Sequence, residues 1–588
     1  MEALPAFVAR IGQELLAGAV RSKEDLHRAK QAAARATGLR DLPTDPDLGR
    51  LLPVDVSARF AALLRAKPMR SQSGIAVVAV MSSPASCPHG KCTFCPGGPE
   101  VDAPQSYTGF EPSTLRARRH GYDPYAIVRG RLAQLERNGH AVGKVDVVVQ
   151  GGTFPAREMA YQDWFVAGIY AGLNDGPGEV DSSFPWGSEA EWAALPEAER
   201  HARLAALQLA NESAACRAIG LTIETKPDWC FAPHLDAMLR HGATRVEIGL
   251  QCLDDAVLEA THRGHTLADS RNAMQLARDA GFKVCVHMMP GLPRPNQTTN
   301  STNGTKPEAR ALRGSIELPA RGSAPLDPDP AADVEDMRLL FADPAFRPDM
   351  LKIYPTLVVL EGETTLKAQW RRGEFHPYDT AAAAAVVAAG KGFVPEWCRV
   401  QRVDRDIPTT HLEAGVMNSN LRQLAQRLRA GQGLPPCRCI RCREAGTRQR
   451  EGVAVEPGRL ALRRIEYEAS GGTEAFLALE DPQADAVVAF LRLRRVGAGA
   501  HRGEAKGAAF VRELKVHGLA TAVGDDPEQG AFQHQGHGAA LLAAAEAIAL
   551  GEWGLARLLV IAGPGVKPYY RRHGYGDVGP YVGKTSLA

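Results

Sequence analysis

Two groups of cysteines carry the first chemical signal. Cys87, Cys92 and Cys95 lie in SCPHGKCTFCPGGPE, and Cys437, Cys439 and Cys442 lie in PPCRCIRCRE. Three thiolates on one loop leave a coordination position open: a four-iron cubane normally takes four cysteines, so three would leave one iron free for a small molecule. Zinc in the same loop would take His89 as its fourth ligand. The tighter second group favours tetrahedral zinc with one further ligand, for which His411 is preferred to Cys398, and a second iron–sulfur cluster is the rival reading. A third signal is FQHQGHGAALLAAAEAIA, where Gln533, Gln535, Gly536, His537 and Gly538 stand directly before an apolar helix. Backbone N–H groups at a helix start cradle a pyrophosphate, and glycines allow its close approach.

The elements that must position these residues can be read from the rest of the chain. With 588 residues, 45% hydrophobic and 23% charged, the sequence has an ordinary globular balance and room for several domains. That excludes a disordered, collagenous or fibrous protein. No apolar run approaches the length of a membrane span and the first residues carry scattered charges, so neither signal peptide nor anchor is expected and the cytosol is the expected compartment.

Residues 1–70 read as a helical module, with Phe7, Ile11, Leu15 and Leu16 at helical spacing and a basic stretch after them. From 71 to 405, short β-branched runs (IAVVAV, VDVVV, LTIET, RVEIGL, KVCVHM, LKIYP) alternate with helical stretches. This is an α/β pattern of parallel βα units closing into a full or partial TIM-like barrel, with its site at the carboxyl ends of the strands. The stretch 297–330 reads as a disordered surface insertion. Residues 406–455 form a Cys- and Arg-rich connector, and 456–588 suit one small α/β domain.

Lys+Arg 69 against Asp+Glu 67 leaves a formal charge of +2, so any nucleic-acid role must rest on local patches. One such patch stands out: between 419 and 450 many arginines face the single acid Glu444. The candidate phosphate contacts are Arg402, Arg405, Arg422, Arg427, Arg438 and Arg441, with Arg116 and Arg119 after the first cysteine group. The pattern suggests a folded RNA whose loop base is directed into the barrel.

At this point a resemblance becomes specific. CTFCPGGP, QSYTGFEPSTLRARR, QGGTF, LTIETKPDWC, RVEIGLQ, THRGHT, GFKVCVHMMPGLP, LKIYPTLV and RDIP resemble, in the same order, blocks of the catalytic subunit of Elongator and its single-chain bacterial and archaeal homologues. The resemblance implies a radical S-adenosylmethionine (SAM) barrel in which Cys87, Cys92 and Cys95 hold a 4Fe-4S cluster. Gly97, Gly98, Glu224, Lys226 and Gln251 would grip SAM. VRELKVHG, the glycine turn and VIAGPGVKPYYRRHGY look like an acetyltransferase domain of the GNAT type. There the turn would bind acetyl-CoA, Tyr569 and Tyr570 would lie near the thioester, and Glu513 is a further candidate base.

The implied activity is carboxymethylation of the wobble uridine in a tRNA anticodon stem-loop, with an external electron donor and a structural zinc. A homodimer is compatible with the sequence, and nothing in it demands partner subunits. Two rivals remain at this stage: a protein lysine acetyltransferase with a structural radical domain, and a zinc-containing RNA-binding scaffold.

Overall fold

The computed structural model describes residues 3–66, 74–178, 187–295, 316–518, 532 and 535–585. Seven strands form the first sheet: β1 (Ala76–Met81), β2 (Lys144–Gln150), β3 (Arg217–Thr225), β4 (Arg245–Gln251), β5 (Lys283–Met288), β6 (Met350–Ile353) and β8 (Arg399–Val403). Every neighbouring pair is parallel, and helices bridge successive strands, so the sheet curls into an open half barrel. A short antiparallel pair, β7 (Val358–Val359) and β9 (Leu412–Ala414), lies beside it.

Alternate strand residues point to opposite faces. The helix-facing set, including Val78, Val80, Val147, Val149, Ile223, Val246 and Ile248, is buried in one continuous core. The set facing the barrel interior is largely polar, with Asp146, Gln150, Glu224, Arg245, Glu247, His287 and Lys352 lining a cavity beside the apolar Val77, Ala79 and Val148. A closed barrel fills that space with branched apolar side chains; this one keeps it open.

The second sheet runs β10 (Ala461–Ala469), β11 (Gly472–Asp481), β12 (Ala486–Arg495), β13 (Ala508–Val516), β14 (Arg557–Val560), β16 (Tyr581–Thr585), β15 (Gly576–Val578). All its pairs are antiparallel except β13 with β14. Leu477, Leu491, Val511, Leu541 and Leu558 bury the inner face of the helix His537–Glu546 against the sheet.

This second unit caps the amino-terminal end, or floor, of the half barrel. The approach is close enough to dictate glycine: a Cβ at Gly563 would stand 2.6 Å from the Ile219 carbonyl carbon, and one at Gly565 would stand 2.5 Å from Arg217 Cβ. The join is apolar and electrostatic together: Phe510, Leu559, Ile561 and Tyr581 share the hydrophobic core of the barrel, and a buried layer of ion pairs crosses beside them. Arg512 donates from Nη1 to Asp349 Oδ2 at 2.7 Å and from Nη2 to Oδ1 at 2.6 Å, with Glu474 and the Phe282 carbonyl as further acceptors. Arg494 binds Asp279 in the same buried layer.

The helical module has its own core of Phe7, Ile11, Leu15, Leu26, Leu48 and Leu52. Leu16, expected on that face, is 51% exposed. Ser22 and Thr44 cap the starts of helices Lys23–Thr37 and Asp45–Leu51. Lys23 and Lys30 both pair with Asp45, so part of the basic stretch is neutralised within the module.

The disordered insertion expected over 297–330 is corrected in its second half. Residues 316–330 are packed, with Ile316, Ala324 and Asp327 buried. Asp327 accepts hydrogen bonds from the Ala324 and His376 backbone, and Asp329 caps the helix Pro330–Ala342. Carboxylates here satisfy a backbone that has no periodic partner. Residues 297–315 lie outside the described residues.

Burial pushes the Asp349 carboxyl up, but Arg512, Arg492 and Arg278 pull it far below the usual carboxylate range. Its contribution is therefore complete above the unfolded value of about 3.9 and falls away as pH drops through the folded value. Arg512→Met leaves Asp349 buried and underpaired. In urea denaturation we expect about 3–5 kcal/mol of destabilisation, partly recovered by Asp349→Leu in the double variant; an unchanged midpoint would remove the pair from the account.

Candidate active site

The loop after β1 carries the first cysteine group into the upper end of a cavity of about 600 Å³. Cys95 Sγ accepts from Ser106 N at 3.0 Å, Cys92 Sγ from Arg263 Nη1 at 3.4 Å, and Cys87 Sγ lies 3.5 Å from Thr153 Oγ1. Burial pushes the Cys95 thiol up to about 11 and raises Cys87 as well, so a positive centre is needed to hold them as thiolates. Gly97 is dictated by loop closure, since a Cβ there would stand 2.2 Å from the Pro104 carbonyl oxygen. His89 Nε2 is 3.3 Å from Cys92 Sγ.

Zn–S bonds of about 2.3 Å place thiolates on one tetrahedral zinc about 3.8 Å apart. Among the described residues, Cys437, Cys439 and Cys442 fit that spacing, with ligand atoms all within 4.8 Å of one another and Cys439 Sγ 3.6 Å from Cys442 Sγ. The first cysteine group is spread more widely, as suits a larger cluster. Side-chain hydrogen bonds from Cys437 and Cys442 hold the Cys439 thiol well below its ordinary range.

His411 is not at this second group. It binds Glu361 and stacks on Phe110 at 4.0 Å, beside the small β7–β9 pair. Proximity in sequence was misleading because β9 carries it away. Cys398 is nearer: its carbonyl accepts from Ile440 N at 3.0 Å, and burial, then the Cys439 charge, push its thiol up.

Glu224, Lys226 and Gln251 all line the large cavity, at the ends of β3 and β4. Glu224 and Lys226 do not pair with each other. Glu224 accepts from Tyr107 OH at 2.6 Å and lies 3.6 Å from Lys352 Nζ, while Lys226 pairs with Asp228 at 3.2 Å. Gln251 adopts φ 76°, and its Oε1 is buried without a partner. Sequence reading missed Tyr107, Arg263, Lys352 and Tyr354, which line the same space. The signal for Lys352 was a lysine at an inward position of an otherwise apolar strand.

The arginines divide. Arg116, Arg402, Arg405 and Arg441 line the open side of this cavity, joined by Arg131 and Arg399. Arg119, Arg422 and Arg427 are outside its lining. Arg438 pairs with Glu396 and Asp485 and Arg402 with Asp406, both arginines staying half-exposed, while the buried Arg443 pairs with Glu480 and Asp485. The one-sided charge of the connector is answered by acids from other segments.

A second cavity, of about 510 Å³, lies between β13 and the start of helix His537–Glu546. β14 pairs with β13 only as far as Val511, which leaves Arg512–Val516 splayed from its neighbour. Gly536 (φ 80°) opens the helix without a side-chain cap, and a Cβ at Gly538 would come within 3.0 Å of Tyr569 Oη. Gly536, His537, Gly538, Tyr569 and Tyr570 line this space. Gln535 is absent from that lining, and Gln533 lies outside the described residues. Tyr569 is half-buried, whereas Tyr570 is 7% exposed and belongs to the core. Glu513 accepts from Arg492 Nε at 2.9 Å, an arrangement unlike a free base.

The barrel sequence matches the family model described as the Radical SAM superfamily over residues 81–299, and the Radical_SAM C-terminal domain model over 348–430. Fold and three-cysteine loop thus define a radical SAM protein. The chain is 41% identical to a tRNA uridine(34) acetyltransferase of Methanocaldococcus infernus, covering 89% of this chain and 88% of that protein. It is 38% identical to Elongator complex protein 3 of Homo sapiens, covering 95% and 93%. A solved structure of the archaeal Methanocaldococcus infernus Elp3 with an N-terminal deletion is 36% identical with a TM-score of 0.68, covering 87% of this chain and 100% of that one. The chain belongs to the family of Elongator complex protein 3 and the tRNA uridine(34) acetyltransferases.

Where the two cavities approach, burial depresses Lys283 to about 8, and burial with the nearby Arg399 does the same to Lys515. Competitive acylation with peptide mapping should find both amines gaining reactivity through about pH 8, against about 10.4 for free lysine. Reactivity rising only near pH 10 would contradict this electrostatic picture.

Proposed function

We propose that the protein modifies the wobble uridine of tRNA, using a SAM-derived radical and acetyl-CoA to install a 5-carboxymethyl group. The observation that carries this reading is one cavity lined both by the three-cysteine loop and by Arg116, Arg402, Arg405 and Arg441, with an open helix start across the barrel floor. Cys87, Cys92 and Cys95 would hold a 4Fe-4S cluster; their wide spacing and the raised thiols of Cys87 and Cys95 suit a multi-iron group. Glu224, Lys226, Gln251 and the backbone at Gly97 and Gly98 would hold SAM. The buried, unpartnered Gln251 Oε1 is a waiting acceptor. When bound, cluster and SAM together supply a 5′-deoxyadenosyl radical able to take hydrogen from an acetyl methyl group.

The second unit is then a GNAT-type domain. Its splayed β13–β14 edge and the amides of Gly536, His537 and Gly538 would receive acetyl-CoA and its pyrophosphate. The turn residues Gln533 and Gln535 would flank it. Tyr569 would donate to the thioester, while Tyr570 packs beneath. The arginines on the open side would grip phosphates of the anticodon stem-loop, with Arg119, Arg422, Arg427 and Arg438 extending the surface. Cys437, Cys439 and Cys442 suit zinc, with Cys398 as the nearest further thiol. The electron would come from an external donor. No helix among the described residues is long and apolar enough to cross a membrane.

Lysine acetylation is the less supported reading. Burial pushes the Glu513 carboxyl up, but Arg492 and the lysines beside it pull it below its ordinary value, which weakens it as a base for an amine substrate.

The test is anaerobic reconstitution with iron and sulfide, followed by SAM, acetyl-CoA, reductant and unmodified tRNA, with mass spectrometry of digested nucleosides. We expect 5-carboxymethyluridine and 5′-deoxyadenosine from the intact chain and neither from Cys92→Ala. Acetylated protein with no modified nucleoside would overturn the proposal.

A further inference from the structure

The lower barrel interior is charged where a barrel is ordinarily sealed by packed apolar layers. Arg245 Nη1 lies 3.2 Å from Asp146 Oδ2, and its Nε lies 3.5 Å from Glu247 Oε1. Among the described residues, Glu513 and Lys515 of β13 line the same cavity as this pair. The cavity under the cysteine loop and the cavity at the helix start share five lining residues: Ile75, Asp146, Arg245, Glu513 and Lys515. The two spaces are therefore neighbours at the floor of the barrel, with these five residues as their common wall.

We propose that the acyl end of acetyl-CoA enters the barrel from below, through the opening framed by these five residues, with the Asp146–Arg245 pair as its gate. This rests on the acetyl-CoA and radical reading above and specifies the path that reading requires. A thioester-bound acetyl group cannot diffuse alone, so it must be carried to the radical on its pantetheine arm. The floor offers a short course: the seven residues of β2 span about 23 Å at roughly 3.3 Å per residue, within the scale of an extended arm. The lining suits the cargo. Lys283 and Lys515 are donors for a thioester carbonyl, and the ionic gate can part because each partner keeps a second neighbour or access to the cavity. The open side between β1 and β8, flanked by arginines, remains for the nucleobase. Three reactants would then converge from three directions: SAM from above, the base from the side, the acyl group from below.

Ile75 is the residue to change, being half-buried just before β1 and outside the ionic network. In the series Ile75→Ala, Ile75→Phe and Ile75→Trp, growing bulk narrows the opening without touching the cysteine loop or the glycine turn. We expect Ile75→Trp to lower modified-nucleoside yield ~10-fold or more while acetyl-CoA affinity and dithionite-driven 5′-deoxyadenosine release stay within about twofold. Ile75→Ala should retain product. Unchanged product from Ile75→Trp would overturn the route, and a parent chain that makes no product would take the functional reading and the route down together. A second measurement does not depend on the bulky variant folding: acetyl-CoA should slow alkylation of the thiol introduced by Ile75→Cys by about threefold or more, read by peptide mass spectrometry. An unchanged alkylation rate would also overturn the route.

Discussion

Arg512 and Asp349 meet in a bidentate ion pair from which water is excluded, both side chains being 0% exposed. Taking two such charges out of water costs several kcal/mol each, and the cost is offset only when every lone pair and N–H finds a partner. Here they do: Glu474 and the Phe282 carbonyl share the guanidinium, and Val284 N binds the carboxylate. The pair joins the turn before β6 to the middle of β13. It thereby fixes the floor of the half barrel against the second sheet, in one register.

The register matters because the residue next to Arg512 is Glu513, which faces the barrel interior with Lys515. A register shift between β12 and β13 leaves Arg512 as an extra residue, so that Arg512 and Glu513 both turn to the barrel, one docking on Asp349 and the other lining the cavity. The same constraint explains why the barrel's inward residues are charged: they meet a polar strand. Glu247 illustrates the result. Burial pushes its carboxyl up, but Lys352, His287 and Arg245 pull it far down, so an anion survives deep in the fold with all its neighbours committed.

The barrel was legible in the sequence because parallel strands buried by helices leave unbroken β-branched runs such as VDVVV, and turn glycines punctuate them. The cysteine loop was legible because its chemistry is local, three thiols within nine residues. What failed was whatever depended on distant partners. Arg438 and Arg443 read as surplus charge because Glu396, Glu480 and Asp485 are far away in sequence. His411 read as a ligand because chain proximity stood in for space. The ordered stretch 316–330 read as disorder because isolated aspartates, and no periodicity, satisfy its backbone. The domain join itself was invisible, since Asp349 and Arg512 are ordinary residues 163 positions apart.

On the proposed function, the two units act on one acetyl group at one time. Acetyl-CoA bearing a trideuterated methyl group tests it directly in the reconstituted system with tRNA. One deuterium is expected in 5′-deoxyadenosine and the remaining deuterium in the carboxymethyl group of the modified uridine. Unlabelled 5′-deoxyadenosine alongside modified uridine would contradict it.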